Sequence, residues 1–392
     1  MIKKWFWILF FIALPFPWIY LKLTGLDEHS LLVAILSGTA IVSASFILSW
    51  IAEVAQKDIP QALAIAAVAL IAVLPEYAVD MYFAWMAGKD LHYCPYALAN
   101  MTGSNRLLIG AGWAFVMLIY YLKTRKKEIE LTREHTLEIS CLLIASLYAL
   151  IIPLKGNLSP IDAVFFILLF CFYIYHATRC KVVEPEISGP QEALADLADT
   201  PRKLSLAALF LYAGFTIFIS AAPFAESLIH TGKIYGIDEF ILVQWVAPLA
   251  SESPEFIVAA LFAFNGHPTA GFGCLVSSKV NQWTLLVGML PLVFAISAGH
   301  PGAMPLDARQ SEEILLTTAQ SLFAIAIILN LRFSIWEALI LFVLFTTQLF
   351  IPHPFIRHIY SIAYLVLAIL MVVLDRSKRE SLKFFDPRVC GR

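Results

Sequence analysis

Apolar runs of membrane-crossing length recur twelve times along this 392-residue chain, and no other feature narrows its possible folds so far. A hydrocarbon core of ~30 Å takes about 20 helical residues to cross. The runs fall at 5–23, 31–52, 60–87, 93–122, 136–153, 159–179, 204–230, 239–264, 270–299, 313–331, 334–350 and 356–374. Backbone in lipid must satisfy its own hydrogen bonds, which leaves helices or closed barrels, and these runs are far too long for barrel strands. With 60% hydrophobic and only 14% charged residues, against about 25% charged in soluble domains, a soluble fold is excluded. The expected fold is all-α: a polytopic membrane bundle of about 12 transmembrane helices. A net charge of −2 gives no reason to expect a nucleic-acid partner. The six cysteines show no paired or metal-type spacing, so no disulfide framework is expected.

Retained Lys and Arg gather on the cytoplasmic side of alternate loops, which tests the span count independently. With the N-terminus inside, cytoplasmic segments hold 19 basic residues and outside loops 6, while Arg106 and Lys279 lie within spans. Both termini are therefore expected in the cytoplasm. The runs Lys123–Lys127 and Arg376–Arg379 read as orientation signals of this kind. His230, His267 and His300 sit in or near loops and are given no role. Asn157-Leu-Ser is a formal glycosylation sequon, set close to the membrane and followed by Pro160.

The most polar internal stretch, 180–203, reads as a cytoplasmic linker that halves the chain. In each half, two neighbouring spans carry what read as the only intramembrane carboxylates, and there an internal repeat is expected. AVALIAVLPEYAVDMYFAWMAG and YALANMTGSNRLLIGAGW form the first hairpin; VQWVAPLASESPEFIVAALFAFNG and AGFGCLVSSKVNQWTLLVGM form the second. Pro75-Glu76 matches Pro254-Glu255, Ser104 matches Ser278, and Asn105 matches Lys279. Five spans separate the motifs, so the second hairpin crosses the bilayer in the opposite direction.

A carboxylate near the bilayer centre costs several kcal/mol unless paired, hydrated or cation-bound. Glu76 and Asp80 share one helix face, as do Glu252 and Glu255. A proline before each glutamate frees the carbonyl four residues back, at Ile71 and Ala250, and carbonyl with carboxylate oxygens makes a hard-cation site. Asp80 and Glu252 fall outward of the Pro-Glu pairs by roughly 6 and 4.5 Å, as an acidic outer vestibule. Arg106 and Lys279 are placed to neutralise two of the four charges.

At these hairpins the chain resembles the cation/calcium exchanger superfamily, whose sodium/calcium exchangers carry two inverted repeats reading G-T-S-x-P-E and G-N-x-x-G-S-N-x-x-N/D. The likeness is strongest over 68–110 and 243–288, and the run Ala-Asn-Met-Thr-Gly-Ser-Asn at 99–105 is its most specific piece. The resemblance implies a ten-helix core of two inverted five-helix repeats, flanked by one extra helix at each end. The corresponding segments are an anchor helix at 1–30, repeats at 31–179 and 204–350 around the linker 180–203, and a helix with basic tail at 351–392. It implies secondary antiport by alternating access, with Ca²⁺ (or another cation) and Na⁺ or H⁺ competing for one set of oxygens, and no cofactor. Glu76 and Glu255 match the central metal-binding glutamates, Ser104 and Ser278 the ligating serines, and Ser251 a ligating threonine.

Departures from the motif concern the ion. Ala72 and Val73 replace Thr-Ser, Glu252 replaces a Ser, Leu108 stands for a ligating Asn, and Gln282 for Asn or Asp. Lost neutral oxygens argue against ordinary Na⁺ sites. Lys279 or Arg106 beside a carboxylate is compatible with proton-coupled exchange, a tethered ammonium or guanidinium taking one cation's place. The blander readings are structural hydrogen bonds for Glu76 and Glu255, and partnership with Arg106 or Lys279 for Asp80 and Glu252. For Asn100, Ser104 and Asn105 the bland reading is helix packing; Gln282 divides evenly between ion ligand and helix contact. Functional alternatives are a transport-inactive ion sensor or scaffold and an intramembrane enzyme, the latter without H-E-x-x-H or G-x-S-x-G in the sequence. The partners expected are inorganic cations and the lipid bilayer; the sequence leaves the oligomeric state open.

Overall fold

The computed structural model describes residues 2–25, 29–58, 70, 71, 73–179, 187, 189–349 and 353–383. Ala72, the start of the run 60–87, part of the linker and the end of the basic tail lie outside the described residues. Among those described, ten helices are long and apolar enough to cross a membrane. Two shorter helices, Leu74–Lys89 and Ile335–Leu349, fall in the third and eleventh expected spans. The fold is all-α apart from four very short strands. Cys94, Cys141 and Cys171 are free thiols.

The chain forms two compact units, Met1–Phe83 with Lys181–Glu255, and Ala84–Cys180 with Phe256–Arg392. In the first, the helix Ser30–Ala55 packs along the long helix Asp199–Tyr235. Gly38 makes room there, since a methyl group at that position would stand 2.8 Å from the Phe224 ring. The N-terminal helices Ile2–Ala13 and Phe16–Thr24 lie on the same helix. Phe11 packs tilted against Phe46 and edge-on against Trp50, and the Tyr212 hydroxyl donates to the Ile12 carbonyl at 2.6 Å. Linker residues 189–203 are not a loose connector. The turn Glu192–Ala195 buries Ala193, Leu194 and Ala195 against Ile47, Ile51 and Leu206. Gln191 donates to Glu53 at 2.6 Å, Lys4 pairs with Glu192, and Arg202 grips Asp58 through two bonds of 2.6 and 2.9 Å. The polarity that marks this stretch in the sequence is spent on docking it.

The second unit shows the duplication in its backbone. Helices Cys94–Leu107 and Pro268–Asn281 are both 14 residues long, and each runs directly into a π-helical turn, Leu108–Trp113 or Gln282–Leu286. Each π-turn therefore begins four residues after the matched serine. Strands β1 (Glu128–Glu130) and β4 (Arg332–Ser334) pair antiparallel, as do β2 (Asn157–Leu158) and β3 (Met304–Pro305). Each pairing ties two inter-span loops to one side of the membrane. Six expected spans separate β1 from β4 and four separate β2 from β3, so both pairings agree with the span parity read from the sequence.

The strands also lead into matched helix starts. Ser159 and Asp162 form a capping box on Pro160–Ala177, and Ser334 and Glu337 form one on Ile335–Leu349. A lysine completes each, Lys155 on Asp162 and the buried Lys378 on Glu337 at 3.0 Å.

Buried charge also ties the C-terminal helix Pro354–Leu374 to this unit. Arg106 Nη2 lies 2.6 Å from Glu313 Oε2, and Arg357 Nε reaches the other oxygen of Glu313 at 3.3 Å. Glu313 stands in Ala308–Ile328 and is as buried as Arg106. Two sequence expectations change here. Arg106 is neutralised by Glu313, an acid outside the two hairpins, and the hairpins do not hold the only intramembrane carboxylates. Glu226, in the seventh expected span, is a further one and accepts from the Tyr82 hydroxyl at 2.6 Å.

Removing one member of a buried ion pair leaves an uncompensated charge, which costs about 3–5 kcal/mol. Glu313→Gln should therefore lower the melting temperature in detergent, and Arg106→Met in the same chain should recover most of the loss; purely additive costs would show that the two do not act as a pair. Tight packing of the second hairpin makes a separate prediction. A methyl group at Gly271 would stand 2.4 Å from the Ala259 carbonyl oxygen, so Gly271→Val should cost about 1–3 kcal/mol, and unchanged thermal stability would contradict this close approach.

Candidate cation site

Burial sorts the twelve residues singled out in the sequence. Glu76, Asp80, Ser251, Glu252 and Glu255 are buried in the first unit; Asn100, Ser104, Asn105, Arg106, Lys279 and Gln282 are buried in the second, where Ser278 is half-buried.

In the first unit, Glu76 stands in the opening turn of Leu74–Lys89 and Glu255 in the middle of Glu239–Phe264. The two carboxylates are close enough for each to sense the other's charge. Oε2 of Glu255 is buried and finds no hydrogen-bond partner among the described residues. Asp80 and Glu252 are buried one helical turn or less along the same helices. Tyr77 lies within electrostatic reach of both Glu76 and Asp80.

The two prolines are not equivalent. Pro254, like Pro248, lies inside a helix, where a missing N–H frees a carbonyl of the preceding turn. Pro75 lies in the first turn of its described helix, where the N–H would be unused in any case. Neither proline has an N–H to offer the carbonyl four residues back, at Ile71 or Ala250. Ser251 directs its hydroxyl back to the carbonyls of Ala247 and Pro248 at 3.3 and 3.4 Å. A hydroxyl that donates to backbone keeps its lone pairs for a cation.

In the second unit, Ser104 does the same toward the Asn100 carbonyl at 3.0 Å, and Asn105 Nδ2 donates to Met101 at 2.8 Å. The Asn105 side-chain oxygen is thereby turned outward, and it accepts from Lys279 Nζ at 2.6 Å. Gln282 opens the second π-turn. The neighbour of Ser278, Ser277, shares a hydrogen bond of 2.8 Å with Tyr173. Sequence reasoning missed Glu226 and Glu313. The signal was present in each case: an acid inside or at the edge of an apolar run, with a basic or hydroxylated residue in another run to meet it.

Among the described residues, no three of His, Cys, Asp and Glu are grouped to hold a metal ion. What the first unit offers is a pair of buried carboxylates within reach of one another's charge. Carboxylate oxygens are the ligands that hard cations take.

The model of the sodium/calcium exchanger protein family matches residues 29–179 and 205–352. The crystal structure of the H⁺/Ca²⁺ exchanger CAX superposes with a TM-score of 0.94 at 48% identity, over 99% of this chain and 98% of that one. Two more distant likenesses are of fold alone. YfkE has a TM-score of 0.63 at 14% identity, over 91% of this chain and 100% of that one. The sodium-calcium exchanger NCX_Mj has a TM-score of 0.54 at 16% identity, over 83% of this chain and 98% of that one. No curated protein sequence gives a significant match. The family and its solved members are transporters and not enzymes. By a family match over most of its length and a near relative of the same fold, the chain belongs to the sodium/calcium exchanger family, within the cation/calcium exchanger superfamily.

Proposed function

We propose that the protein is a secondary active antiporter that exchanges Ca²⁺ for protons across its membrane by alternating access. The observation that carries this reading is the buried pair of Glu76 and Glu255, with an oxygen of Glu255 lacking any hydrogen-bond partner among the described residues. Two carboxylates within reach of one another cannot both stay ionised in an apolar interior without a positive charge to share. A divalent cation meets that need, and so do protons. The two kinds of occupant exclude one another, which is the condition for exchange. The H⁺/Ca²⁺ exchange named for the 48% identical relative supports protons as the driving ion, as does the loss of neutral oxygens at Val73, Glu252 and Leu108.

In this reading Glu76 and Glu255 hold the ion, and Ser251 and the Ala250 carbonyl supply neutral oxygens beside them. Asp80 and Glu252 gather cations outward of the pair. For Ser104, Ser278 and Gln282 the assignment as ligands rests on the family motif alone, and for Asn100 and Asn105 a place on the ion route has the same basis. The repeats are assigned to 31–179 and 204–350, with flanking helices at 1–30 and 351–392. Both termini are assigned to the cytoplasm on the basic-residue asymmetry.

Purified protein in sealed vesicles tests the proposal. Ca²⁺ uptake should follow an imposed proton gradient and persist with Na⁺ absent from both sides. Glu76→Gln and Glu255→Gln should each lower uptake at sub-saturating Ca²⁺ by about tenfold or more, the scale of losing one charge-assisted contact. Unchanged flux in both variants would remove the site assignment; Ca²⁺ binding without flux in the native protein would instead support the transport-inactive reading.

A further inference from the structure

The basic run Lys123–Lys127 reads in the sequence as an orientation signal, and the structure sets part of it at the mouth of a groove. Helix Ala114–Thr124 packs beside Ile335–Leu349 in the second unit. Between them lies a cavity of about 400 Å³. Alanines leave the room: Ala111, in the π-turn that follows Ser104, and Ala338 both line it. Leu118 and Phe342 line it too and are exposed, so the groove opens sideways to the bilayer. From Ala114 to Tyr121, and from Trp336 to Phe342, it runs about 10 Å along each helix.

The polar end of the groove is built by the β1–β4 pair. Tyr121, Lys127 and Trp336 line it there, and Tyr and Trp are the aromatics that favour the membrane–water boundary. The backbone at Lys127 is fixed, since its carbonyl accepts from the Ile335 N–H at 2.9 Å. Arg125 stands over the Tyr121 ring, 5.8 Å from its centroid. It closes helix Ala114–Thr124 with a φ of 61°, a left-handed conformation that glycine adopts with less strain. An arginine held in such a conformation points to a use for its side chain. Nearby charges are otherwise engaged. Glu128 and Glu130 share Arg332 at 3.9 and 3.8 Å, and Lys123 is held by the Phe264 carbonyl and ring. Arg125, Lys126 and Lys127 form no ion pair among the described residues.

A groove with an apolar length and a cationic mouth matches a kind of molecule that already surrounds the protein. We infer that it binds an anionic phospholipid, with the phosphate at Arg125 and Lys127 and one acyl chain laid between the two helices against the π-turn of the first repeat. The side concerned is the one assigned to the cytoplasm, whose leaflet carries the anionic lipids. A second copy of the chain is the poorer occupant. Symmetric copies in one membrane are related by an axis along its normal, which would bring the same three cations together at the same depth. The inference does not depend on which ion the protein carries.

Native mass spectrometry of the purified protein in detergent tests this. Titrated with dioleoylphosphatidylglycerol, the native protein should take up one lipid in preference to phosphatidylcholine with the same chains. Lys127→Gln and Arg125→Gly should each weaken that binding about fivefold, the scale of one basic residue at an anionic lipid. Both side chains are exposed, and glycine suits the backbone at 125, so Arg125→Gly should be at least as heat-stable as the native protein without added lipid. That readout separates a lost ligand from a lost fold. Ala111→Leu, which fills the groove and leaves its cations in place, should weaken binding as well. Glycerol phosphate, an anion without chains, should not compete at millimolar concentration. Equal binding of the two lipids would overturn the inference, as would native affinity in both Lys127→Gln and Arg125→Gly. Competition by glycerol phosphate would reduce the groove mouth to a free-anion site, and a dimer that excludes the lipid would seat a second copy there; either result also overturns it.

Discussion

Two carboxyl groups brought together in an apolar interior need positive charge or protons to share. Glu76 and Glu255 come from separate halves of the chain, each directly after a proline, and are buried within reach of each other's field. An ion pair with a fixed arginine would satisfy them permanently and leave nothing to transport. The arginine closest to them in sequence terms, Arg106, is instead occupied by Glu313 and by the network that reaches Arg357. The intramembrane guanidinium is thus spent on holding helices of the second unit together.

Gene-level duplication is still visible at the level of individual hydrogen bonds. The two 14-residue helices, the π-turns that follow them and the two small strand pairs recur at nearly constant spacing, and so do the capping boxes at Ser159 and Ser334. π-turns are rare interruptions of a helix and often lie at functional sites; here each follows the matched serine of its own repeat by the same four residues. The exceptions to symmetry are where chemistry differs: Asn105 against Lys279, and Leu108 against Gln282. The duplicated scaffold thus carries unlike residues at equivalent points.

Hydropathy made the spans legible, because span length is a property of the chain read locally. The fold class, the exchanger resemblance and the matched hairpins follow from residues a few positions apart. What the sequence hid were partnerships between distant helices. Glu313 belongs to a run that reads as apolar, and only packing reveals that it faces Arg106. The stretch 180–203 reads as a linker from its polarity, yet its Ala193-Leu194-Ala195 turn supplies apolar surface that local polarity masked. Pro75 and Pro254 look alike in the sequence; only the helix boundaries separate a first-turn proline from one in mid-helix.

Competition between metal and protons at the acid pair is the central claim, and it can be measured without vesicles. Ca²⁺ titrated into purified protein in weakly buffered solution should displace protons from Glu76 and Glu255, because the bound metal requires deprotonated oxygens. The account predicts a measurable proton release per Ca²⁺ bound, together with an apparent affinity that strengthens as pH rises. Saturable Ca²⁺ binding that releases no protons and does not change with pH would contradict it.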